Sequence, residues 1–169
     1  MKIPIVNEKD RVIGYKESNE RNLLKEITRV SNLWIFDEKD RVLIAKRSKN
    51  KKALPNRWGT SVAGSVEKGE TYESNIIKEA KEEIGLIISK SDLTLGPKER
   101  RTTQHAYFCQ WFFLKIKSNT KFILQESEVD DIKWVLINDL TNFFHKEKEN
   151  CIPNFNEAIN IIKVYANKD

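Results

Sequence analysis

Four glutamates, Glu70, Glu79, Glu82 and Glu83, lie close together within the stretch 64–86. In a helix that turns by about 100° per residue, the last three occupy one arc about 100° wide. Like charges at these spacings repel one another and destabilise a helix, whereas hard divalent cations prefer oxygen ligands. The cluster therefore indicates a metal site. A solvated acidic face is the alternative interpretation.

The residues around these glutamates predict where the helix begins and ends. Thr71 is suited to the N-cap, and Gly85 to the left-handed residue that follows a helix. An apolar arc lies beside the acidic one and is expected to face a core. It consists of Ile76, Ile77, Ala80 and Ile84.

A basic stretch, residues 46–58, lies shortly before the acidic helix. Its cations are Lys46, Arg47, Lys49, Lys51, Lys52 and Arg57. Arginine binds phosphate through a planar fork, and lysine binds it as a point charge. Hydrolysis of a diphosphate needs cations on the oxygens that a metal does not cover. The stretch therefore predicts a phosphate-binding loop, with a solvated basic loop as the alternative.

The spacing closely matches the motif of the Nudix superfamily, G-x5-E-x7-R-E-U-x-E-E-x-G-U, in which U is aliphatic. Gly64 and Glu70 occupy its first two fixed positions, and residues 78–86 read KEAKEEIGL. Every fixed position agrees except that Lys78 stands where the family carries Arg. The resemblance implies an α/β fold, an α/β/α sandwich with a mixed β-sheet and a loop–helix–loop catalytic motif. It also implies an Mg²⁺- or Mn²⁺-dependent hydrolase that cleaves a diphosphate linked to another group.

The resemblance implies a role for each acidic residue. The metal ligands would be Glu79, Glu82, Glu83 and the carbonyl of Gly64. In the family, the general base is often the residue that matches Glu79 and sometimes an acid from a late loop, for which Glu126 and Glu128 are candidates. Glu70 would orient the cluster through Lys78, although lysine lacks the fork of the family arginine.

One branch of the superfamily, the isopentenyl diphosphate isomerases, resembles a longer part of the chain. The matching segments are LWIF at 33–36 and RSKNKKALPNRW at 47–58. In that branch the residues matching Arg47 and Lys51 bind the substrate diphosphate, and Lys52 is a further candidate from the same stretch. The isomerase pattern S-V-C-G-H is here SVAGS at 61–65, so Ala63 replaces the catalytic Cys and Ser65 a metal-binding His. The likeness therefore implies a hydrolase and disfavours isomerisation.

Apolar and alternating segments predict strands along the rest of the chain. Two short strands are predicted within 3–15, around a turn at 7–10, and further strands at 29–36, 42–47, 58–66, 93–96, 106–117 and 132–135. A turn at 37–40 should join the strands beside it into a hairpin. Short helices are predicted at 138–144 and from about Pro153 onward. The last helix should bury Phe155, Ala158, Ile159, Ile162 and Val164 or Tyr165.

Length and composition predict one soluble domain over residues 1–169. The net charge is +5, and 33% of the residues are charged, which suits a polyanionic ligand without identifying it. Two cysteines give no disulfide framework, so a reducing cytoplasm is expected. No signal peptide opens the chain, and no apolar run approaches the roughly 18 residues of a membrane helix, so no membrane partner is expected. A homodimer stays open.

The expected partner is a small diphosphate, with nucleoside di- and triphosphates as the first choice. Aromatic residues that could stack a base are Trp58, Tyr72, Tyr107, Phe108 and Trp111. An isoprenoid diphosphate is the second choice, because the isomerase branch favours it. A non-catalytic protein that binds RNA or nucleotides is the third interpretation. No recognised RNA-binding motif supports it, and a pure binder would have no use for the four glutamates.

Overall fold

A mixed β-sheet with helices on both faces forms the frame of the chain in the computed structural model, which describes residues 1–102 and 104–166. The strands are β1 Lys2–Val6, β2 Val12–Glu17, β3 Thr28–Asp37, β4 Arg41–Arg47, β5 Trp58–Gly59, β6 Val62–Ser65, β7 Thr94–Thr102, β8 Ala106–Ile116 and β9 Val129–Leu136. The helices are α1 Tyr72–Ile84, α2 Leu140–Glu147 and α3 Phe155–Ala166. Among the described residues, no helix is long and apolar enough to cross a membrane.

Strand β3 lies at the centre of the larger sheet. One edge pairs in parallel with β8, from Thr28 opposite Tyr107 to Asp37 opposite Ile116. The other edge is shared, since β6 pairs with residues 30–33 and β4 with residues 35–36. Strand β7 continues the sheet beyond β8, while β5 and β9 pair with β4.

The buried Ser61 joins β3 to β4 close to the point where β6 takes over as the partner of β3. Its hydroxyl donates to the Leu43 carbonyl at 2.6 Å and accepts the Ile35 N–H at 3.0 Å. Buried backbone groups must find hydrogen-bond partners, and this side chain supplies them where the strands diverge. The strand predicted over 58–66 is therefore two strands, β5 and β6, which pair with β4 and β3 respectively.

Alternating residues of the central strands separate two cores, as the two-residue period of a strand requires. Leu33 and Ile35 face α1, whereas Trp34 and Phe36 face α3. On β8, Phe112 and Leu114 belong to the α1 core, and Trp111 and Phe113 to the α3 core. The predicted α/β/α sandwich with a mixed sheet is thus confirmed.

Most of the predicted elements are present, with differences at their ends. The hairpin of β3 and β4 and the two N-terminal strands match the prediction. Strand β7 extends to Thr102, beyond the predicted 93–96, and α2 begins at Leu140 after a 3₁₀ turn. In α3 it is Tyr165 that packs inward, stacked on Phe113 at 3.9 Å between ring centroids, while Val164 is exposed.

The small sheet of β1 and β2 is tied to the start of α1 through Asp10. The Asp10 carboxylate accepts hydrogen bonds from Arg29 Nε and Lys98 Nζ, both at 2.7 Å, and from the Tyr72 hydroxyl at 3.0 Å. Burial works against its ionisation, but the hydrogen bonds from Lys98 and Arg29 outweigh it and lower the pKa of Asp10. Because Tyr72 is the first residue of α1, this cluster fixes the end of α1 at which the helix begins.

Candidate active site

Helix α1 begins and ends where the sequence predicts. Thr71 is its N-cap, with the hydroxyl accepting the Ser74 N–H at 3.1 Å and the Ser74 hydroxyl accepting the Thr71 N–H at 2.9 Å. Gly85 follows in the left-handed conformation, at φ 69°, where a side chain would be strained. Ile76, Ala80 and Ile84 are fully buried beneath the helix, but Ile77 is only partly buried. The apolar arc is therefore narrower than predicted.

Glu79 lies directly against Gly64 of β6. A Cβ built on Gly64 would stand 2.3 Å from the Glu79 Cγ and 2.8 Å from its Oε1, so the absence of a side chain at residue 64 makes room for the carboxylate. Burial and the nearby charge of Glu82 raise the pKa of Glu79, although Lys78 opposes the shift. Glu82 itself is exposed to solvent.

Glu70 and Lys78 meet as predicted, and a third group joins them. Lys78 Nζ lies 2.7 Å from both Glu70 Oε1 and Glu67 Oε1, and 3.6 Å from Glu79 Oε1. The remaining oxygen of Glu70 accepts the Glu67 N–H at 2.8 Å and the Asn75 side-chain amide at 2.9 Å. Partial burial works against the charged forms, yet these bonds lower the pKa of Glu70 and raise that of Lys78.

A second acidic pair lies at the other end of α1. Burial, with repulsion from Glu79 and Glu128, raises the pKa of Glu83 to about 8, although the Ala63 N–H donates to it. Glu128 pairs with Lys51 of the basic stretch. The fold therefore brings Glu83, Glu128 and Lys51 together, although they lie far apart along the chain.

The end of α1 is tied to the segment that leads to Glu128. The carbonyls of Glu83 and Ile84 accept the N–H groups of Gln125 and Ile123, both at 2.9 Å. The last carbonyls of a helix have no partner within it, so this segment satisfies two of them. Glu128 in turn donates its N–H to the Gln125 carbonyl at 2.8 Å.

The basic stretch is held in place by Arg47. Its guanidinium donates to the carbonyl of Ala53 at 2.9 Å from Nη2 and to that of Leu54 at 3.2 Å from Nε. These hydrogen bonds fix the shape of the loop and use part of the guanidinium fork of Arg47 that was predicted to bind phosphate. Lys52 is exposed, and its predicted contact with substrate stays a prediction.

A cavity of about 320 Å³ is lined by Glu83, Glu128 and Arg47, whereas Glu79, Glu82, Lys51 and Lys52 are not among its lining residues. Glu83, Glu128, Arg47 and Ala63 line one end. Aromatic and polar residues of β7 and β8, of the two positions before β8 and of the position before α3 line the other end: Arg101, Gln104, His105, Tyr107, Trp111 and Asn154. Of the residues predicted to stack a base, Tyr107 and Trp111 line the cavity, whereas Trp58, Tyr72 and Phe108 do not.

At the far end of the cavity, Tyr107 and Trp111 were predicted as stacking residues, whereas His105 and Arg101 were not. His105 and Tyr107 stack there with ring centroids 4.6 Å apart. Arg101 lies over the Trp111 ring at 5.7 Å and is held by Glu99 at 2.7 Å. His105 lies just before β8 and Tyr107 within it, so the alternation of side chains along a strand does not by itself predict that the two rings stack.

Among the described residues, no three His, Cys, Asp or Glu side chains converge closely enough to form a metal cluster. Two of the acids already have a cationic partner in the structure, since Glu70 pairs with Lys78 and Glu128 with Lys51. The donors themselves fit Mg²⁺ or Mn²⁺, because they are carboxylates, and burial together with the charges of neighbouring glutamates raises the pKa of Glu79 and of Glu83. A hard divalent cation would relieve that repulsion.

Comparison with known protein families identifies the class to which this fold and site belong. A NUDIX domain matches residues 26–155, so the chain belongs to the Nudix hydrolase family. A Nudix hydrolase of Listeria innocua is 36% identical over 110 residues, which cover 65% of this chain and 64% of that protein; the match thus spans just under two thirds of that relative. The prenyl-diphosphate phosphatase of Methanosarcina mazei is 32% identical over 158 residues, covering 92% of this chain and 90% of that protein.

Structural comparison shows the same fold. The crystal structure of DR0079 from Deinococcus radiodurans superposes with a TM-score of 0.78 at 24% identity, covering 95% of this chain and 98% of that one.

The isopentenyl-diphosphate Delta-isomerase of Salmonella heidelberg is 33% identical over 93 residues, 54% of this chain and 50% of that protein. The predicted nearness to the isomerase branch is confirmed. Ala63 lines the cavity, whereas Cys109 and Cys151 are buried away from it.

Proposed function

We propose that the protein is a Mg²⁺- or Mn²⁺-dependent hydrolase of a diphosphate bond, with nucleoside di- and triphosphates as its first substrate class. The observation that carries this proposal is one cavity that has acids and a guanidinium at one end and stacked aromatic rings at the other. Such a cavity accommodates a charged diphosphate and a planar group in one molecule.

The acidic end would hold the cation. Glu79, Glu82, Glu83 and the carbonyl of Gly64 are the ligands in this proposal. When bound, the cation would neutralise negative charge on the phosphate oxygens and lower the pKa of a water molecule. The chain's own contribution is to hold these acids in place, through the contact of Glu79 with Gly64 and the Lys78 ion pair with Glu70.

The basic stretch would bind the diphosphate. Lys51 faces Glu128 in the structure, and a phosphate entering the cavity offers it a second anionic partner. Once Lys51 turns to the phosphate, the Glu128 carboxylate is free to accept a proton from the attacking water. Glu128 lines the cavity and so fits the role of a late-loop base better than Glu126, which is exposed. Glu79 is the other candidate base.

The aromatic end would select the remainder of the substrate. The His105–Tyr107 stack offers a face to a planar base, and Gln104 and Asn154 offer side-chain amides to its edge. These groups suit a heterocycle with hydrogen-bond donors and acceptors.

An isoprenoid diphosphate is the second candidate substrate. It is supported by the name of the Methanosarcina mazei relative and by apolar cavity residues, among them Leu54, Val129 and Ile152. A prenyl chain would pack against these residues and leave the polar groups at the far end unpaired, which costs binding free energy.

A phosphate-release assay tests both candidates. Nucleoside di- and triphosphates and isopentenyl and geranyl diphosphate would be incubated with and without Mg²⁺, and the products identified by ³¹P NMR. We expect metal-dependent release, fastest with a nucleotide. Faster release from the prenyl diphosphates would select the second candidate. Absence of release from every compound, combined with salt-sensitive binding of RNA, would replace the hydrolase by a non-catalytic binder.

A further inference from the structure

Asn75 is a fully buried polar residue on α1, one helical turn before Glu79. Residues four apart lie on the same side of a helix, so its side chain points along the acidic arc. The two N–H donors of Nδ2 are shared among three oxygens within hydrogen-bond distance, Glu70 Oε2 at 2.9 Å, the Ser65 carbonyl at 3.1 Å and Glu79 Oε1 at 3.3 Å. One amide group thus connects β6 to two carboxylates of the site.

The orientation of this amide follows from its surroundings. Its three neighbours, Ser65, Glu70 and Glu79, all present oxygen acceptors. Turning the amide over would set its own oxygen against them, and the Nδ2 group is therefore the one that faces the acids. The Oδ1 atom is left buried without a partner among the described residues, which costs stability. The residue is therefore better suited to holding the acids than to stabilising the core.

Lys78 alone does not provide all the donors that the acids need. Its Nζ reaches Glu67 and Glu70 at 2.7 Å, but lies 3.6 Å from Glu79, beyond a hydrogen bond. An ammonium group is a point charge, whereas a guanidinium has five N–H donors in one plane. Among the described residues, Glu79 thus has no cation within hydrogen-bond distance, and the Asn75 amide is a donor that reaches it at 3.3 Å.

We propose that Asn75 is a positioning residue that, with Lys78, fixes the carboxylates of Glu70 and Glu79 for metal binding. The inference rests on the proposed metal-dependent function and adds a residue to it. Outer groups that orient metal ligands typically change metal affinity by about 10- to 100-fold when removed. Because lysine lacks the planar fork, the dependence on Asn75 should be strong with Lys78 and weak with arginine at that position.

A double-mutant cycle tests this coupling through Mn²⁺ affinity, measured by the electron paramagnetic resonance of free Mn²⁺ without any substrate. Asn75→Leu keeps the branched shape and removes the donor, and we expect it to weaken Mn²⁺ binding about tenfold. Lys78→Arg alone should leave the affinity within about twofold of the wild type. Lys78→Arg combined with Asn75→Leu should recover most of the lost affinity, since the guanidinium reaches both carboxylates.

Two controls separate positioning from folding. Asn160→Leu makes the same change at an exposed position of α3 and should leave Mn²⁺ affinity unchanged. Thermal unfolding followed by circular dichroism shows whether each variant is folded. If Asn75→Leu does not fold, Asn75→Ala takes its place in the cycle.

The outcomes distinguish this inference from the proposed function. Wild-type affinity in Asn75→Leu, or a loss that Lys78→Arg does not restore, would overturn the role of Asn75 while the hydrolase proposal stands. A wild-type protein that takes up no Mn²⁺ would overturn both.

Discussion

Gly64 has no side chain where Glu79 needs the space, and Gly64→Ala tests the placement of that glutamate. The added methyl would stand 2.3, 2.6 and 2.8 Å from the Cγ, Cδ and Oε1 atoms of Glu79, whereas ordinary contacts begin at 3.4 Å. Glu79 must therefore move by about 1 Å, and misplacement by that distance can cost about 10²-fold in rate. We expect kcat at saturating Mg²⁺ to fall about 100-fold, or about 2.7 kcal/mol of transition-state stabilisation.

The fold should tolerate this substitution. Gly64 does not adopt the left-handed conformation, and the atoms nearest the new methyl all belong to one side chain. We expect the melting temperature to change by less than about 4 °C, roughly 1 kcal/mol for a domain of this size. Gly14→Ala is the matched control, because nothing lies within 4 Å of its added Cβ, and it should leave kcat unchanged.

Steady-state kinetics with the substrate from the phosphate-release assay, together with thermal unfolding, would decide the outcome. A Gly64→Ala variant that keeps more than about a third of the wild-type kcat would show that the position of Glu79 is not required. A variant that loses activity and also melts well below the wild type would show that the substitution disrupts the sheet, which would contradict the expected tolerance of the fold.

Four further predictions concern the acids, the basic stretch, the metal and the core. Glu79→Gln should lower turnover at least about 100-fold with an unchanged circular dichroism spectrum; near-normal turnover would remove Glu79 from the mechanism. Lys51→Met should raise KM about tenfold because a charge-assisted bond to phosphate is lost, and an unchanged KM would contradict that contact. Chelation with EDTA should abolish phosphate release, and excess Mg²⁺ or Mn²⁺ should restore it, whereas release that persists in EDTA would exclude a metal requirement. Phe155→Ala, at a fully buried residue, should cost about 3–5 kcal/mol in urea unfolding; a loss below about 1 kcal/mol would contradict its place in the core.

The acidic helix could be predicted from local sequence because its signals are local. The cap at Thr71, the left-handed Gly85 and the apolar arc all act within a few residues of the helix. Strand β7 gave a weaker signal, since its second half is rich in charge. In the structure those charges have partners, with Lys98 on Asp10, Arg100 on Glu8 and Arg101 on Glu99. The partners of Lys98 and Arg100 are distant in sequence, and so is β8, with which this segment pairs, so local patterns do not reveal the strand.

The cavity could be predicted only in part, because its two ends come from different parts of the chain. The basic stretch and the acids were recognisable by residue type and spacing. The far end needs the parallel pairing of β3 with β8 and the docking of α3, which bring Tyr107 and Asn154 to the same cavity. The contact of Lys51 with Glu128 likewise depends on the pairing of β4 with β9.

The carbonyls of Glu83 and Ile84, which accept the N–H groups of Gln125 and Ile123, tie the end of the acidic helix to the segment before Glu128, and we expect the two to open together in local unfolding. Unfolding of either the last turn of α1 or the segment before Glu128 breaks hydrogen bonds of the other, so both should open with the same free energy. Amide exchange at Gln125 would then follow exchange in the last turn of α1, and a ligand that protects one should slow the other. Glu128 is thus tied, through this segment, to the helix that carries the proposed metal ligands.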